Sequence, residues 1–181
     1  MESNENRKVI LKATHIMKTF SQVAALKNVD FELRAGEVMA LMGENGAGKS
    51  TLVKIITGLY SRDSGTIELD GEEISPRNVL ESQRLGIQTV YQELNLSPFL
   101  SVAENLFLGH EIKDSRGQID WKKTNAEARR IMNEMQIDID VTAPLKNLTA
   151  ALQQMVAIAR AVTVNAKVLI LDEPSSSLDA D

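Results

Sequence analysis

The sequence of 181 residues contains no cysteine, which excludes a disulfide framework, a thiolate metal site and a thiol nucleophile. It also lacks a long apolar run, since no stretch approaches the ~20 residues that cross a bilayer. Residues 1–6 are polar and acidic, unlike a signal peptide. Lys and Arg number 20 against 25 Asp and Glu, and this net charge of −5 argues against a protein that coats nucleic acid. Any connection to a membrane is therefore expected to go through a partner.

What the sequence does contain is a glycine-rich segment, Gly43–Thr51, that follows the P-loop pattern G-x-x-x-x-G-K-[ST]. The apolar run Val38–Met42 before it predicts a strand buried on both faces. The segment Lys49–Leu59 predicts a helix with one apolar face, formed by Leu52, Ile55, Ile56 and Leu59. A chance match in a glycine-rich loop is the alternative, and this strand–loop–helix context disfavours it.

The P-loop predicts a phosphate site. Backbone N–H groups of the loop and of the helix N-terminus together attract an anion. Lys49 is expected to reach the β- and γ-phosphates of a nucleoside triphosphate, and the Ser50 hydroxyl to ligate Mg²⁺. The residues expected to line the site are Gly43, Glu44, Asn45, Gly46, Ala47, Gly48, Lys49, Ser50 and Thr51.

The rest of the first half predicts a mixed α/β arrangement that begins with antiparallel strands. Alternation of apolar and charged residues indicates strands with one solvated face. The Asp70-Gly71 pair is a hairpin signal, and Gly86 is placed to end a helix in the left-handed conformation. The predicted elements are strands Val9–Thr19, Leu26–Arg34, Thr66–Leu69 and Ile87–Tyr91 and a helix Asn78–Leu85.

Residues 94–148 predict a helical insertion. Ser101 and Glu104 form a capping-box pattern that opens a helix through Leu108. Asp120 is placed to cap a second helix, whose apolar stripe consists of Ala128, Ile131, Met132 and Met135. The phenylalanine and methionine residues here, among them Phe99 and Phe107, favour packing or docking on a partner over a cofactor site. A third helix, Ala150–Val164, is predicted to be capped by Thr149 and to place Val156, Ala159 and either Val162 or Thr163 on its inner face.

A second acidic segment completes the predicted site. The apolar run Val168–Leu171 predicts another buried strand, and it ends in Asp172 and Glu173. With a P-loop upstream this is the Walker B arrangement, in which Asp172 would ligate Mg²⁺ and Glu173 would polarise the attacking water. A solvated strand end is the alternative reading of the acidic pair. ATP hydrolysis is the activity these residues predict together.

The ordered set of motifs resembles the ABC transporter ATPases, and in particular their sugar-importer branch of the ribose, galactose, xylose and galactofuranose type. The matching segments are Gly43–Thr51 (Walker A), Tyr91-Gln92-Glu93 (Q-loop), 148–154 (signature), Leu171–Pro174 (Walker B) and Ser177-Leu178-Asp179 (D-loop). The resemblance implies an α/β P-loop NTPase core with an antiparallel β-subdomain and an inserted α-helical subdomain. Residues 1–93 would hold the β-subdomain and P-loop core, 94–148 the helical subdomain, and 149–181 the signature helix, Walker B strand and D-loop.

The resemblance also implies roles for individual residues. Phe20 would stack on adenine, and Gln92 would contact Mg²⁺ and water. Thr149 would present its hydroxyl to the γ-phosphate held by a second ATPase domain, and Asp179 would lie between the two domains. Implied partners are transmembrane permease subunits, which would dock on 94–148, and, indirectly, a periplasmic sugar-binding protein, with no nucleic acid. The protein would then work on the cytoplasmic face of the cell membrane.

Two departures from the family pattern qualify this expectation. The signature reads Leu148-Thr149-Ala150-Ala151-Leu152, where Leu-Ser-Gly-Gly-Gln is common in the family. The family also has a histidine beyond Walker B, and this sequence stops at Asp181 before it reaches that position. We therefore expect a partial ATPase domain, truncated after the D-loop. The alternatives are a nucleotide-binding fragment with little or no turnover and a non-transport ABC ATPase acting on ribosomes or DNA.

Overall fold

The computed structural model describes residues 7–90, 96–164 and 166–171. The chain divides into two compact units, Met1–Gln88 and Thr89–Asp181. Among the described residues, no helix combines the length and the apolar character needed to cross a membrane.

A four-stranded antiparallel sheet dominates the N-terminal unit, in the order β2-β1-β3-β4. Its core side chains, Leu11, Ile16 and Ile67, are almost fully buried. Asp70 and Gly71, between β3 and β4, have φ of 58° and 89°, as the predicted hairpin turn requires. The strands confirm the predicted ones and extend them: β1 is Val9–Phe20, β2 Val23–Arg34, β3 Ser64–Leu69 and β4 Glu72–Glu73.

The same unit contains helices α1, Lys49–Ile56, and α2, Val79–Leu85. Helix α2 ends at Gly86 in the left-handed conformation, as predicted. Helix α1 buries Leu52, Ile55 and Ile56, but it is shorter than predicted, and Leu59 is half exposed. The cause is Gly58, which has a φ of 73° and donates its N–H to Ile55 O, so the chain turns away before Leu59.

The predicted buried strand Val38–Met42 is wrong. The segment has no strand conformation, and Val38 is 100% and Met42 90% exposed. An apolar strand is buried on both faces only when neighbouring strands and helices cover it. No strand pair within the described residues of the unit includes this segment, so its composition alone does not bury it.

In the part of the chain that the structure describes, the C-terminal unit contains three helices and a small sheet. A two-stranded sheet joins β5, Ile87–Val90, whose last two residues lie in this unit, to β6, Val168–Leu171. The helices are α3, Val102–Phe107, α4, Trp121–Glu134, and α5, Ala150–Thr163, with a 3₁₀ turn at Leu145–Asn147. They share one core, formed by Val102, Ala103, Leu106, Phe107, Ala128, Ile131, Met132, Val141, Leu145, Val156 and Ala159.

Helix caps in this unit agree with the sequence predictions. Ser101 and Glu104 form a complete capping box at α3, and Asp120 accepts the Lys123 N–H at 3.0 Å at the start of α4. Phe107 is buried at 9% exposure, so it is unsuited to the docking role considered for it, because it fills the core between α3 and its neighbours. Phe99 is 75% exposed.

Helix α5 has two buried sides. Val156 and Ala159 face the shared helical core as predicted, whereas Val162 is 55% exposed and its predicted burial is wrong. Ala157 and Ala161, which are four residues apart and so lie on one face, pack against Val90 instead. Because α5 packs on two faces, the prediction of a single apolar face is wrong at its C-terminal end. Along β6 burial falls in the same way, from Val168 at 3% exposure to Leu171 at 44%.

Candidate nucleotide-binding site

The loop that precedes α1 is shaped by Gly48. This residue is the N-cap of α1 and has a φ of 90°, a conformation that strains any L side chain. A Cβ here would lie 2.7 Å from Ala25 O and from Leu26 Cδ2 on β2. Gly48 therefore allows the start of α1 to approach β2 closely, which fixes the loop on the sheet.

The N-terminus of α1 is open to an anion. Among the described side chains none caps it with a hydrogen bond, and its first turn contains no acidic residue. The first N–H groups of a helix have no partner within the helix and carry its positive dipole end. The residues before it, from Gly43 to Ala47, are exposed, so the N–H groups are accessible from solvent.

Lys49 closes the loop on itself. Its ammonium donates to Gly43 O at 2.6 Å and to Glu44 O at 2.9 Å, the first two residues of the motif. A positive charge is thereby held at the mouth of a loop whose helix end also attracts anions. Ser50 is exposed at the start of α1, so its hydroxyl is accessible to a metal ion. Uncapped N–H groups, an ammonium and a hydroxyl are the donor set that a Mg²⁺-triphosphate requires, and the predicted P-loop residues fit it.

Phe20 is the last residue of β1 and is 39% exposed. Its ring packs edge to face on Tyr60, with centroids 5.3 Å apart and an interplanar angle of 67°. The Lys18 ammonium lies 5.4 Å from the centroid of the Phe20 ring. Asp63 holds this strand end by accepting the Lys18 ammonium at 2.8 Å and the Thr19 N–H at 2.7 Å.

The sequence pattern does not indicate a role for Tyr60 and Asp63. Both follow α1 in the chain and lie some forty residues from Phe20, so no local spacing connects them with the strand end. The hydrogen bond from Lys18, followed by that from the Thr19 N–H, lowers the pKa of the Asp63 carboxyl below its usual value. Asp63 is therefore an anion that fixes two groups of β1 at once.

Thr149, in the C-terminal unit, is the N-cap of α5. Its hydroxyl oxygen accepts the Leu152 N–H at 3.4 Å, as the predicted cap requires. Thr149, Ala150 and Ala151 are exposed, so the start of α5 is accessible to a ligand or partner. The Thr149 oxygen is already engaged with the helix, and its O–H proton is the group left for an incoming acceptor.

Four predicted site residues, Gln92, Asp172, Glu173 and Asp179, lie outside the described residues. Their positions in the site therefore stay predictions.

Comparison with known proteins places these features in a family. The sequence model described as ABC transporter matches residues 26–176. The chain belongs to the ABC transporter family. It is 51% identical over 98% of its length to the galactofuranose transporter ATP-binding protein YtfR of Escherichia coli strain K12. It is 48% identical over 93% of its length to the ribose import ATP-binding protein RbsA of Caldanaerobacter subterraneus, and 51% over 99% to the fructose import ATP-binding protein FruK of Bifidobacterium longum.

Solved structures show the fold. The chain matches the ADP conformation of MJ1267, an ATP-binding cassette of an ABC transporter, with a TM-score of 0.79 at 26% identity, covering 93% of this chain and 70% of that one. It matches cbiO1 of Clostridium perfringens, part of an ABC transporter complex, with a TM-score of 0.79 at 28% identity, covering 95% and 68%. This ABC transporter chain thus has the predicted P-loop NTPase fold.

The chain spans about a third of the length of the curated relatives it matches: 35% of YtfR and 34% of RbsA and of FruK. These relatives are thus much longer proteins than the ABC transporter chain described here.

Proposed function

We propose that this chain is the ATP-binding part of a subunit that energises the import of a monosaccharide through a membrane ABC transporter. The observation that carries the proposal is the loop before α1, where Gly48 sets the backbone and Lys49 holds a positive charge beside uncapped N–H groups. The relatives are named for the transport of galactofuranose, ribose or fructose, and these names support a monosaccharide as the substrate.

In the proposed complex, the N–H groups of Gly46–Thr51 and the Lys49 ammonium bind the triphosphate of ATP. Lys49 exchanges its two carbonyl acceptors for phosphate oxygens, which are stronger acceptors because they are charged. Ser50 and Asp172 would hold Mg²⁺, with Gln92 as a further ligand. When bound, the metal would supply charge neutralisation on the phosphates.

Glu173 is proposed as the general base for hydrolysis. A carboxylate next to the metal ligand Asp172 can orient water toward the γ-phosphate, which is the role this position requires. Gln92 would contact the same water and report the state of the nucleotide to the permease. The support for these roles is the order of motifs in the chain.

A second ATPase domain is proposed to complete the site. Thr149 would donate its hydroxyl proton to the γ-phosphate bound by that domain, and Asp179 would lie between the two. A solved relative, MJ0796, is dimeric in a post-hydrolysis state with ADP and phosphate, which supports such pairing. The helical segment 94–148, with Phe99 exposed, would contact permease subunits at the cytoplasmic face of the membrane, and a periplasmic sugar-binding protein would deliver the sugar.

Nucleotide binding with little turnover is the second candidate, and the start of α5 favours it. Ala150 and Ala151 stand at the positions of the two glycines in the common signature, and their methyl groups would crowd an approaching phosphate. These two methyl groups would weaken contact between this motif and a nucleotide held by a partner domain.

Phosphate release by the chain, compared with Lys49→Ala and Glu173→Gln, separates these two candidates. Phosphate release by the wild-type chain that exceeds release by both variants supports hydrolysis. If the wild-type chain binds ATP but releases no more phosphate than the variants do, the candidate that binds nucleotide with little turnover is supported. Lys122→Ala is the matched charge control, because Lys122 is exposed on α4, away from the P-loop in sequence.

The transport role needs a separate experiment. Affinity purification of the tagged chain from membranes is expected to recover a permease. Co-sedimentation with ribosomes or DNA, without recovery of a permease, would favour the non-transport alternative and contradict the proposal.

A further inference from the structure

The structure assigns a positioning role to Tyr60 and Asp63: we propose that they hold Phe20 as a rigid surface on which the nucleotide base stacks. This inference rests on the proposed function, because it takes ATP as the ligand of the P-loop. It adds two residues, distant in sequence from Phe20, to the part of the site that selects the base.

Asp63 fixes the backbone beneath Phe20. Its two carboxylate oxygens accept the Thr19 N–H and the Lys18 ammonium, and its own N–H donates to Met17 O at 2.9 Å. Three hydrogen bonds thus tie the residue to the three positions that precede Phe20. Ser21 and Gln22 follow with φ of 43° and 74°, so the ring stands between a clamped strand end and a tight turn.

Tyr60 fixes the ring itself. Its edge-to-face contact restrains Phe20, and its ring lies 5.3 Å from the Lys54 ammonium. The Tyr60 N–H donates to Lys54 O at 2.9 Å, so Tyr60 is attached to the last turn of α1. The first turn of the same helix follows the phosphate loop. One helix of eight residues, about 12 Å long, therefore connects the loop that binds phosphate with the residue that restrains Phe20.

The exposure of the two rings favours a ligand role over simple packing. Phe20 and Tyr60 remain 39% and 37% exposed, although a pair that served only the core would be buried. Each ring also has a lysine ammonium close to it, from Lys18 and from Lys54. The Lys18 charge is paired with Asp63, whereas the Lys54 ammonium lies beside Tyr60, so this restrained, partly exposed aromatic pair suits a nucleotide base.

Binding of two probes, ATP and inorganic tripolyphosphate, tests the inference. Tripolyphosphate has the phosphates of ATP but no base. We expect Tyr60→Leu to weaken ATP binding about 3- to 10-fold while leaving tripolyphosphate binding unchanged, because loss of the ring contact frees Phe20 but not the loop. Tyr60→Phe, which keeps the ring, is the matched control and should bind both probes as the wild type does. Phe20→Ala should weaken ATP about 10-fold, again without an effect on tripolyphosphate.

Asp63→Asn tests the hydrogen bonds that Asp63 makes to Lys18 and Thr19. Like Tyr60→Leu, it should weaken the binding of ATP but not that of tripolyphosphate. Urea unfolding of each variant shows that the fold is retained. Equal ATP affinity in Tyr60→Leu and wild type, or an equal loss for both probes, would overturn the inference while the P-loop assignment stands. Absence of binding of both probes to the wild-type chain would instead overturn the proposed function, and with it this inference.

Discussion

At the scale of single residues, two glycines of the phosphate loop have left-handed backbones but different surroundings. Gly48 has a φ of 90°, and a Cβ there would meet Ala25 O at 2.7 Å. Gly46 has a φ of 85°, and a Cβ there would have no heavy atom within 4 Å. The two positions therefore separate the cost of backbone strain from the cost of a clash.

We expect Gly46→Ala to lower the free energy of unfolding by about 1 kcal/mol, the cost of a left-handed L-residue. Gly48→Ala should lower it by about 3 kcal/mol, since it adds overpacking against β2. Urea unfolding of both variants measures the difference. Equal effects would show that the close approach at Gly48 does not constrain the loop.

Asp63 gives a pH-dependent prediction at the same scale. Its folded-state pKa is lowered from 3.8 by the hydrogen bond from Lys18 and then by that from Thr19. A lowered folded-state pKa means that its contribution to stability is present above pH 3.8 and is lost as the pH falls through the folded-state value.

Side-chain NMR titration should show that the pKa of the Asp63 carboxyl lies below its usual value of 3.8, and Lys18→Ala should move that pKa back upward. A wild-type Asp63 pKa at or above 3.8 would contradict the hydrogen bonds by which Asp63 holds Lys18 and Thr19 next to Phe20.

At the scale of helices and strands, the caps and turns were predictable because their signals are local. Gly86, the Asp70-Gly71 turn and the Ser101–Glu104 box each depend on residues within a few positions of one another, and each forms as predicted. The predicted burial of Val38–Met42 and of Val162 is wrong. Burial depends on which other segments cover a residue, and a local sequence pattern carries no information about those segments. Tyr60 and Asp63 were missed because their contacts with β1 are long-range.

The capping box of α3 provides an element-scale prediction. Ser101 donates its N–H to Glu104 Oε2 at 2.7 Å and its hydroxyl at 2.6 Å, and these bonds lower the pKa of Glu104 from 4.5. Ser101→Ala should lower the free energy of unfolding by about 1 kcal/mol at neutral pH. Ser115→Ala, at an exposed loop serine, is the control and should change it by less than about 0.5 kcal/mol.

The Glu104 carboxylate stabilises α3 above pH 4.5, and this contribution is lost as the pH falls through its lowered pKa. Glu104→Gln should therefore have a lower free energy of unfolding than wild type at pH 7, and this difference should disappear as the pH falls. A gap that persists below the folded-state pKa would contradict the charged capping box.

At the scale of the whole molecule, the order of motifs predicted the family and the fold, and both are confirmed. The subdomain ranges 1–93, 94–148 and 149–181 remain predictions. Contacts divide the chain at Gln88, and helices α3 to α5 share one core across the proposed boundary at 148. The sugar could not be named from the sequence, because the motifs that predict the site are motifs of nucleotide binding and do not specify a sugar.

Calorimetric titration of ATP with Mg²⁺ into the chain, and into Lys49→Ala and Lys122→Ala, tests the central claim most directly. The account predicts binding by the wild type and by Lys122→Ala, and a loss of about 10-fold or more in affinity in Lys49→Ala, because a charge-assisted contact to phosphate is removed. Equal ATP affinity in wild type and Lys49→Ala would contradict it.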